Sequence, residues 1–199
     1  MAFEINYDSA FSSYSITSYL TSWATDFGDP GHGGPAGGGN SGSFYGSSSG
    51  SLFDGSQYGL QASATNATAF IADGDLHYSF RDAGNPHTLY GELDKLSFGE
   101  GLEGGSTSNF TLTDLQVSFS GLDLSSLLTE GQTADLHQAV YGLMRGDVDP
   151  LLNVLSNAGI DVTSSFADLS VAHATTDSLA DATVDVVGVA DTTVDLLAA

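Results

Sequence analysis

The sequence predicts a single α+β domain in which helices pack on one face of an antiparallel β-sheet. Strand-type patterns are grouped in the middle of the chain, and helix-type patterns stand before and after them. A chain of 199 residues with 41% hydrophobic residues can bury one substantial core, and its length does not require a second domain. We therefore expect one layer of helices on the sheet and a second sheet face open to solvent.

The first predicted element is an amphipathic helix near the N-terminus. Its apolar residues recur at helical spacing, and they are Ile16, Tyr19, Leu20, Trp23 and Phe27. Ser13 or Ser15 can cap its start, and Gly28 ends the pattern. A stripe of this kind is what a helix needs to pack on a core, so we interpret it as structural.

A long loop follows the helix. Residues 28–51 contain ten glycines and six serines, a composition that favours neither a helix nor a strand. His32 lies near the start of this segment, and Phe44 and Tyr45 near its end can anchor it to the domain. The glycines match neither a calcium-binding repeat nor a phosphate-binding loop.

The clearest local pattern is a hairpin with its tight turn at Asp73 and Gly74. It joins predicted strands over 67–72 and 75–80. On the second strand, alternation places Tyr78 on an apolar face and His77 on the opposite one. Tyr78 is therefore predicted to lie at the end of a short hairpin strand.

Two more strands are predicted, over 87–98 and 109–118, and a loop over 82–86 precedes the first of them. Their alternation of apolar and polar residues is imperfect, which indicates a bulge. With the hairpin, these strands complete the predicted antiparallel sheet.

Helical patterns then return. One apolar helix face is formed by Leu136, Val140, Leu143 and Met144. A second helix begins at Asp149 and Pro150 and ends by Gly159, and a third short helix is predicted from Ser164 or Ser165 through Val171. From about Thr175 onward, Asp alternates with small and apolar residues, and we predict a mobile tail outside the core.

Charge excludes several classes of partner. Only Arg81, Lys95 and Arg145 carry fixed positive charge against 25 acidic residues, and the formal net charge is −22. Such a chain repels phosphate backbones and anionic lipids, so we expect neither nucleic-acid binding nor membrane insertion. The chain has no cysteine, which excludes disulfides and thiolate metal sites.

The composition also bears on localisation. The N-terminus lacks the basic and apolar regions of a signal peptide, and no run of 18 apolar residues occurs. A chain so poor in Lys and so rich in Gly and Ser is unusual for a cytoplasmic enzyme. Export by a route that needs no N-terminal signal is therefore our hypothesis.

Hydrolase motifs are absent, since the chain contains neither a Gly-x-Ser-x-Gly elbow nor a His-Glu-x-x-His helix. The five histidines are His32, His77, His87, His137 and His173. A loop histidine is usually just exposed, and a strand tyrosine usually just packs in a core. The combination of His32, Tyr78 and His87 is more specific than any of them alone and favours a ligand-binding site.

Several blocks of sequence, in order, resemble one known family. They are Tyr7 to Trp23, Phe-Gly-Asp-Pro-Gly-His at 27–32, Phe-Asp-Gly-Ser-Gln-Tyr at 53–58, Gly-Asp-Leu-His-Tyr at 74–78, Pro-His-Thr-Leu-Tyr-Gly at 86–91 and Val-Tyr-Gly-Leu-Met at 140–144. Nearly end to end, the chain resembles the HasA-type hemophores, which bacteria secrete to capture haem for an outer-membrane receptor. The resemblance implies a haem-binding domain over 1–175 with a strongly curved antiparallel sheet, and a secretion-signal tail over 176–199.

The resemblance also implies a site for ferric haem b. In it, His32 is the distal iron ligand, Tyr78 is the proximal ligand, and His87 hydrogen-bonds the tyrosine oxygen. Contacts to the macrocycle are implied for Phe80, Leu89, Tyr141 and Met144. Because cations are scarce, we expect the haem propionates to face solvent, and Arg145 is the one cation near enough in sequence to bind them.

The implied partners are haemoglobin or other host haem proteins as the haem source, a TonB-dependent outer-membrane receptor and a type I ABC exporter that reads the tail. We expect an extracellular monomer without enzymatic activity. Two alternatives stay open: a haem or metal enzyme of the peroxidase or catalase type, and a Gly/Ser-rich surface adhesin. Two axial protein ligands leave iron no open position, which disfavours the enzyme.

Overall fold

The computed structural model describes residues 3–29, 42–169 and 187–191. The strands are β1 (Glu4–Asp8), β2 (Ser43–Tyr45), β3 (Asp54–Gln61), β4 (Thr68–Ser79), β5 (Thr88–Glu103), β6 (Thr111–Ser126) and β7 (Val187–Asp191). The α-helices are α1 (Ile16–Phe27), α2 (Asp135–Met144) and α3 (Asp149–Asn157), and residues 166–169 are also helical. None of the described helices is long and apolar enough to cross a membrane.

The strands form one open, curved sheet in the order β2-β3-β4-β5-β6-β1-β7. Neighbouring strands from β2 to β1 pair antiparallel, and β7 pairs parallel with β1. Helices α1, α2 and α3 all contribute side chains to the single core cluster that covers one sheet face. The predicted α+β class and antiparallel sheet are confirmed.

Helix α1 begins after Ser15, one of its two predicted caps, and ends at the predicted Gly28. Ser15 accepts a hydrogen bond from the Ser18 amide, and the Ser18 side chain accepts one from the Ser15 amide, so the two close a capping box. The helix ends at Gly28, whose positive φ of 70° suits a glycine.

The apolar face of α1 packs on the middle of the sheet through aromatic rings. The Trp23 ring centroid lies 5.1 Å from that of Phe98 and 5.9 Å from that of Phe70. The indole Nε1 of Trp23 donates to the carbonyl oxygen of Ala69 at 3.2 Å. The side chain is only 3% exposed, so this hydrogen bond replaces the water that its one polar atom has lost.

The predicted hairpin turn at Asp73 and Gly74 is wrong, because β4 runs through both residues without a break. A two-residue turn of that type needs positive φ at both central positions, and neither residue has it. The chain instead shifts its register there against β5. A Cβ on Gly74 would collide with the carbonyl oxygen of Glu92, which explains the glycine.

The true hairpin loop is 80–87, which joins β4 to β5. Both β5 and β6 are longer than the strands predicted over 87–98 and 109–118. Their register shifts twice, between Leu93 and Lys95 and between Phe98 and Gly99, which confirms the predicted bulge.

Four strands, β1, β2, β3 and β7, lie where no strand was predicted. The edge strand β2 falls inside the segment predicted as loop, and it pairs with β3. The short strand β1 pairs with β6 near the other edge of the sheet. The strands at both edges of the sheet were therefore not predicted, and only the central strands β4, β5 and β6 were.

The C-terminal region is described only in part. The third predicted helix is helical over 166–169, and its continuation to Val171 lies outside the described residues. Within the predicted tail over 176–199, the structure describes only β7. The domain boundary near 175 and the role of the tail stay predictions.

Candidate functional site

Tyr78 lies next to the last residue of β4, where the strand enters loop 80–87. It pairs in register with Leu89 at the start of β5. Leu76, two residues earlier on the same face, is fully buried in the core, and Tyr78 packs against that core while staying partly exposed. The strand therefore carries the phenol from the core to the surface.

The Tyr78 hydroxyl lies 2.9 Å from Nδ1 of His87. His87 has a φ of 56°, in the left-handed region that residues other than glycine seldom adopt. Such conformations persist where the surroundings hold them, and they are frequent at binding sites. The pairing of phenol and imidazole thus depends on an unusual backbone at the end of the loop.

The loop that carries His87 is held at two further points. The carboxylate of Asp82 accepts hydrogen bonds from the amides of Gly84 and Asn85, and these bonds lower the pKa of Asp82 below its ordinary value. Nε2 of Gln132 donates to the carbonyl oxygen of Pro86 at 2.9 Å. The loop is therefore fixed on both sides of its tip.

The protonation of Tyr78 follows from its surroundings. Burial raises the pKa of the phenol above its ordinary value of 10, and the nearby Tyr141 raises it further. At neutral pH the hydroxyl therefore keeps its proton. When His87 carries its own proton on Nε2, its Nδ1 accepts a hydrogen bond from this hydroxyl.

Exposed aromatic rings border Tyr78, and we call Phe53 and Phe80 the aromatic rim. Their ring planes are inclined by only 8°, with centroids 5.7 Å apart. Phe53 is 47% exposed and Phe80 is 44% exposed, although large aromatic side chains are usually covered. The Tyr78 amide donates to the carbonyl oxygen of Phe53 at 2.7 Å, which ties the rim to the phenol.

Helix α2 completes the surroundings of the site. His137 is buried, and its Nδ1 accepts a hydrogen bond from the Leu89 amide at 3.0 Å. Its ring stacks on that of Tyr141 with centroids 5.4 Å apart. Burial lowers the pKa of His137, so the imidazole stays neutral and can act as this acceptor.

The structure brings most of the predicted site residues together. His87 contacts both Tyr78 and Phe80, and Leu89 pairs with Tyr78 on the neighbouring strand. Tyr141 lies close enough to Tyr78 to raise the pKa of its phenol. Met144 packs against the core at the end of α2. His32 lies outside the described residues. His77 stacks on Tyr90 and pairs with Asp75, away from the Tyr78 face as predicted.

Two residues of this site, Phe53 and His137, were not predicted from the sequence. Phe53 precedes a strand that was not predicted, so nothing indicated that its ring would lie beside Tyr78. His137 could have been found, because it stands four residues before Tyr141 on a predicted helix and therefore shares its face.

The arrangement offers an oxygen donor with a nitrogen base at hydrogen-bond distance, bordered by exposed aromatic rings. A phenolate oxygen is a hard ligand that suits ferric iron. Exposed flat rings suit contact with a flat, apolar ligand. The residues present therefore fit iron held in a macrocycle.

Comparison with known proteins decides the family. The model of the family "Heme-binding protein A (HasA)" matches residues 1–199. The chain belongs to the HasA family. It is accordingly a haem-binding carrier and not an enzyme, as predicted, and both the peroxidase-type and the adhesin alternatives are set aside.

Individual HasA proteins are similar to this chain along most of their length. The chain is 48% identical to the hemophore HasA of Serratia marcescens over 179 residues, which is 87% of this chain and 93% of that one. The holo hemophore HasA of Yersinia pestis has a similar structure, with a TM-score of 0.76 and 37% identity over 96% of this chain and all of that one. An apo HasA of the same organism gives a TM-score of 0.75 with 36% identity, covering 96% and 98% of the two chains.

Proposed function

We propose that this protein captures ferric haem b outside the cell by coordinating its iron through Tyr78 and His32, and that it delivers the haem to an outer-membrane receptor for iron acquisition. The observation that carries the proposal is the 2.9 Å contact between the Tyr78 hydroxyl and Nδ1 of His87. This contact places the imidazole of His87, a proton acceptor, beside the Tyr78 oxygen, which would have to lose its proton to bind iron.

Coordination through Tyr78 is a proton exchange. The raised pKa of the phenol means that the free protein holds the proton, while iron binds the phenolate form. His87 can take this proton as the Fe–O bond forms and can return it when the haem leaves. A phenolate ligand favours Fe(III) over Fe(II), which suits a carrier and not reversible oxygen binding.

Contacts with the macrocycle are assigned to apolar side chains around Tyr78. Phe80, Leu89, Tyr141 and Met144 follow from the family resemblance, and Phe53 joins them because its ring is parallel to that of Phe80 and equally exposed. Covering exposed aromatic surface with a flat apolar ligand is favourable at roughly 25 cal/mol per Å². The rim would therefore add affinity to the iron–oxygen bond.

His32 is proposed as the second axial ligand, on the opposite side of the haem from Tyr78. Its position on a glycine-rich segment suits a ligand that can be withdrawn when a receptor takes the haem. Withdrawal would leave Tyr78 as the last protein ligand, and proton return from His87 would then weaken that bond.

The cellular route is part of the same proposal. A type I ABC exporter would read the C-terminal tail, the monomer would take haem from haemoglobin or other host haem proteins, and a TonB-dependent receptor would receive it. Deleting the residues from about 180 onward should abolish export while leaving haem affinity unchanged.

Hemin titration of matched variants tests the ligand assignment. Tyr78→Phe keeps the ring and loses only the oxygen, so haem affinity should fall at least about a hundredfold. Tyr90→Phe is the control, because Tyr90 stacks on His77 on the other sheet face. Equal haem affinity of Tyr78→Phe and the wild type would contradict the proposal.

A second comparison addresses His32. His32→Ala should shift the ferric absorption spectrum from the six-coordinate form while Tyr78 still holds the haem. An unchanged spectrum would remove His32 from the site and leave Tyr78 in place.

A further inference from the structure

Positive charge is scarce in this chain, and its distribution is uneven. The sequence has three Lys and Arg residues against 25 Asp and Glu. Two of the three, Arg81 and Arg145, lie on aromatic rings that surround Tyr78. The third, Lys95, lies six residues beyond Leu89 along β5, about 20 Å away along the strand.

Each guanidinium is placed by a ring. Cζ of Arg81 lies 5.5 Å from the ring centroid of Phe80, and Cζ of Arg145 lies 5.5 Å from that of Tyr141. Phe80 in turn has its ring 5.1 Å from that of His87, and Tyr141 is close enough to Tyr78 to raise its pKa. Both positive charges therefore stand at the border of the phenol site.

A position over an aromatic face restricts a guanidinium without using its N–H groups. A cation over a ring is attracted by the π-electrons, and the planar group keeps its donors free for a carboxylate. Less conformational entropy is then lost when an anion binds. The two side chains are held in place and keep their hydrogen-bonding capacity.

The acidic residues nearest in sequence do not form ion pairs with these arginines. The carboxylate of Asp82, next to Arg81, accepts the amides of Gly84 and Asn85. That of Asp147, two residues from Arg145, accepts the amide of Asp149. Within the described ranges 3–29, 42–169 and 187–191, neither arginine takes part in an ion pair.

We propose that Arg81 and Arg145 bind the anionic carboxylates of the ligand, which for haem are its two propionate groups. This inference rests on the proposed function of the Tyr78 site, and it replaces the expectation that the propionates simply face solvent. A guanidinium can bind a carboxylate through two parallel N–H···O bonds. Two local positive charges also counter the repulsion that a chain of net charge −22 exerts on an approaching dianion.

The test compares two probes that differ at the propionates: hemin, whose propionates are anionic, and hemin dimethyl ester, whose methylated propionates are neutral. Each is titrated at low salt against the full chain, Arg81→Gln, Arg145→Gln and the double variant. Lys95→Gln is the matched control, since it removes the same charge far from Tyr78. Circular dichroism verifies that every variant is folded.

The proposal predicts that the double variant binds hemin about tenfold more weakly than the full chain, and that added salt reduces this difference. The ester should bind the full chain and the double variant equally, and Lys95→Gln should bind hemin as the full chain does. Unchanged hemin binding by the double variant would overturn the proposal. An equal loss for hemin and ester, or an equal loss in Lys95→Gln, would overturn it too.

The same data separate this inference from the proposed function. If the full chain binds hemin and ester equally well, haem binding stands and carboxylate recognition fails. If the full chain binds neither probe, the proposed function fails and this inference fails with it.

Discussion

Two aromatic clusters sit on the same sheet, and they differ in what covers them. Around Trp23, the rings of Phe70 and Phe98 are fully buried beneath α1, and the one indole N–H is paired. Around Tyr78, the rings of Phe53 and Phe80 are nearly half exposed, although they too lie in contact with one another.

The difference teaches how one kind of side chain serves two purposes. Rings under a helix are already removed from water, so their burial stabilises the folded state and leaves no apolar surface for a ligand to cover. Rings at the end of β4 and in its loop keep apolar surface that a ligand can cover. The first cluster should therefore govern stability, and the second should govern binding.

The largest effect is expected from the buried cluster. Trp23→Ala removes the ring between Phe70 and Phe98 and its hydrogen bond to Ala69, so the free energy of unfolding should fall by about 3–5 kcal/mol. Urea denaturation measures this loss. A change below about 1 kcal/mol would mean that the cluster does not hold α1 on the sheet.

His137 is buried beside the binding site, and its removal should have the next largest effect. His137→Ala leaves the buried Leu89 amide without its acceptor, which costs about 1–3 kcal/mol. His137→Asn retains an acceptor at the Nδ1 position and should lose less. Urea denaturation of both variants compares the two losses.

The same residue gives the fold a predictable pH dependence. Burial lowers the pKa of His137 in the folded state, so the unfolded chain binds the proton more readily. Its contribution to stability is therefore complete above the ordinary pKa of about 6.5 and is lost as the pH falls below that value. The free energy of unfolding of His137→Asn should depend less on pH than that of the wild type, and identical pH profiles would contradict this account.

Truncating the exposed rim should separate binding from stability. Phe53→Ala removes a ring that is 47% exposed, so the free energy of unfolding should change by less than about 1 kcal/mol. Haem affinity should fall about tenfold, as expected for the loss of one aromatic contact. If stability fell and affinity did not, the rim would belong to the core and not to the site.

The smallest effect concerns release. If His87 returns a proton to Tyr78, haem should dissociate several times faster at about pH 5 than at about pH 8, and this acceleration should be lost in His87→Ala. Stopped-flow transfer to an excess of a second haem-binding protein measures the off-rate. Equal pH dependence in the two proteins would exclude His87 as the proton donor.

The elements marked by local sequence patterns were predicted, and the strands that form through pairing with other strands were not. Helix α1 has a periodic apolar face and a cap at each end, so its end at Gly28 was predicted, and its start was narrowed to Ser13 or Ser15, of which Ser15 is the cap. Strand β1 alternates, but it is only five residues long and its partner β6 lies far along the chain. Strand β3 pairs with the neighbouring β4, but its own sequence contains two glycines and no clear alternation. The Asp-Gly pair at 73–74 is a strong turn signal, but continuous pairing with β5 overrode it.

The candidate site follows the same rule. Tyr78 and His87 are separated by one hairpin loop, so sequence alone could bring them near each other. Phe53 reaches Tyr78 only through the pairing of β3 with β4, and no spacing in the sequence indicates that contact. Contacts within the site were predictable only where the two residues lie close together in the sequence, as Tyr78 and His87 do.

The central claim is that the Tyr78 oxygen binds iron, and resonance Raman spectroscopy of the ferric haem complex tests it most directly. Protein with ring-deuterated tyrosine is excited in the phenolate-to-iron charge-transfer band. Our account predicts tyrosinate vibrations that shift on deuteration, are absent in Tyr78→Phe and are unchanged in Tyr90→Phe. Isotope-sensitive bands that persist in Tyr78→Phe, or that never appear in the wild type, would contradict it.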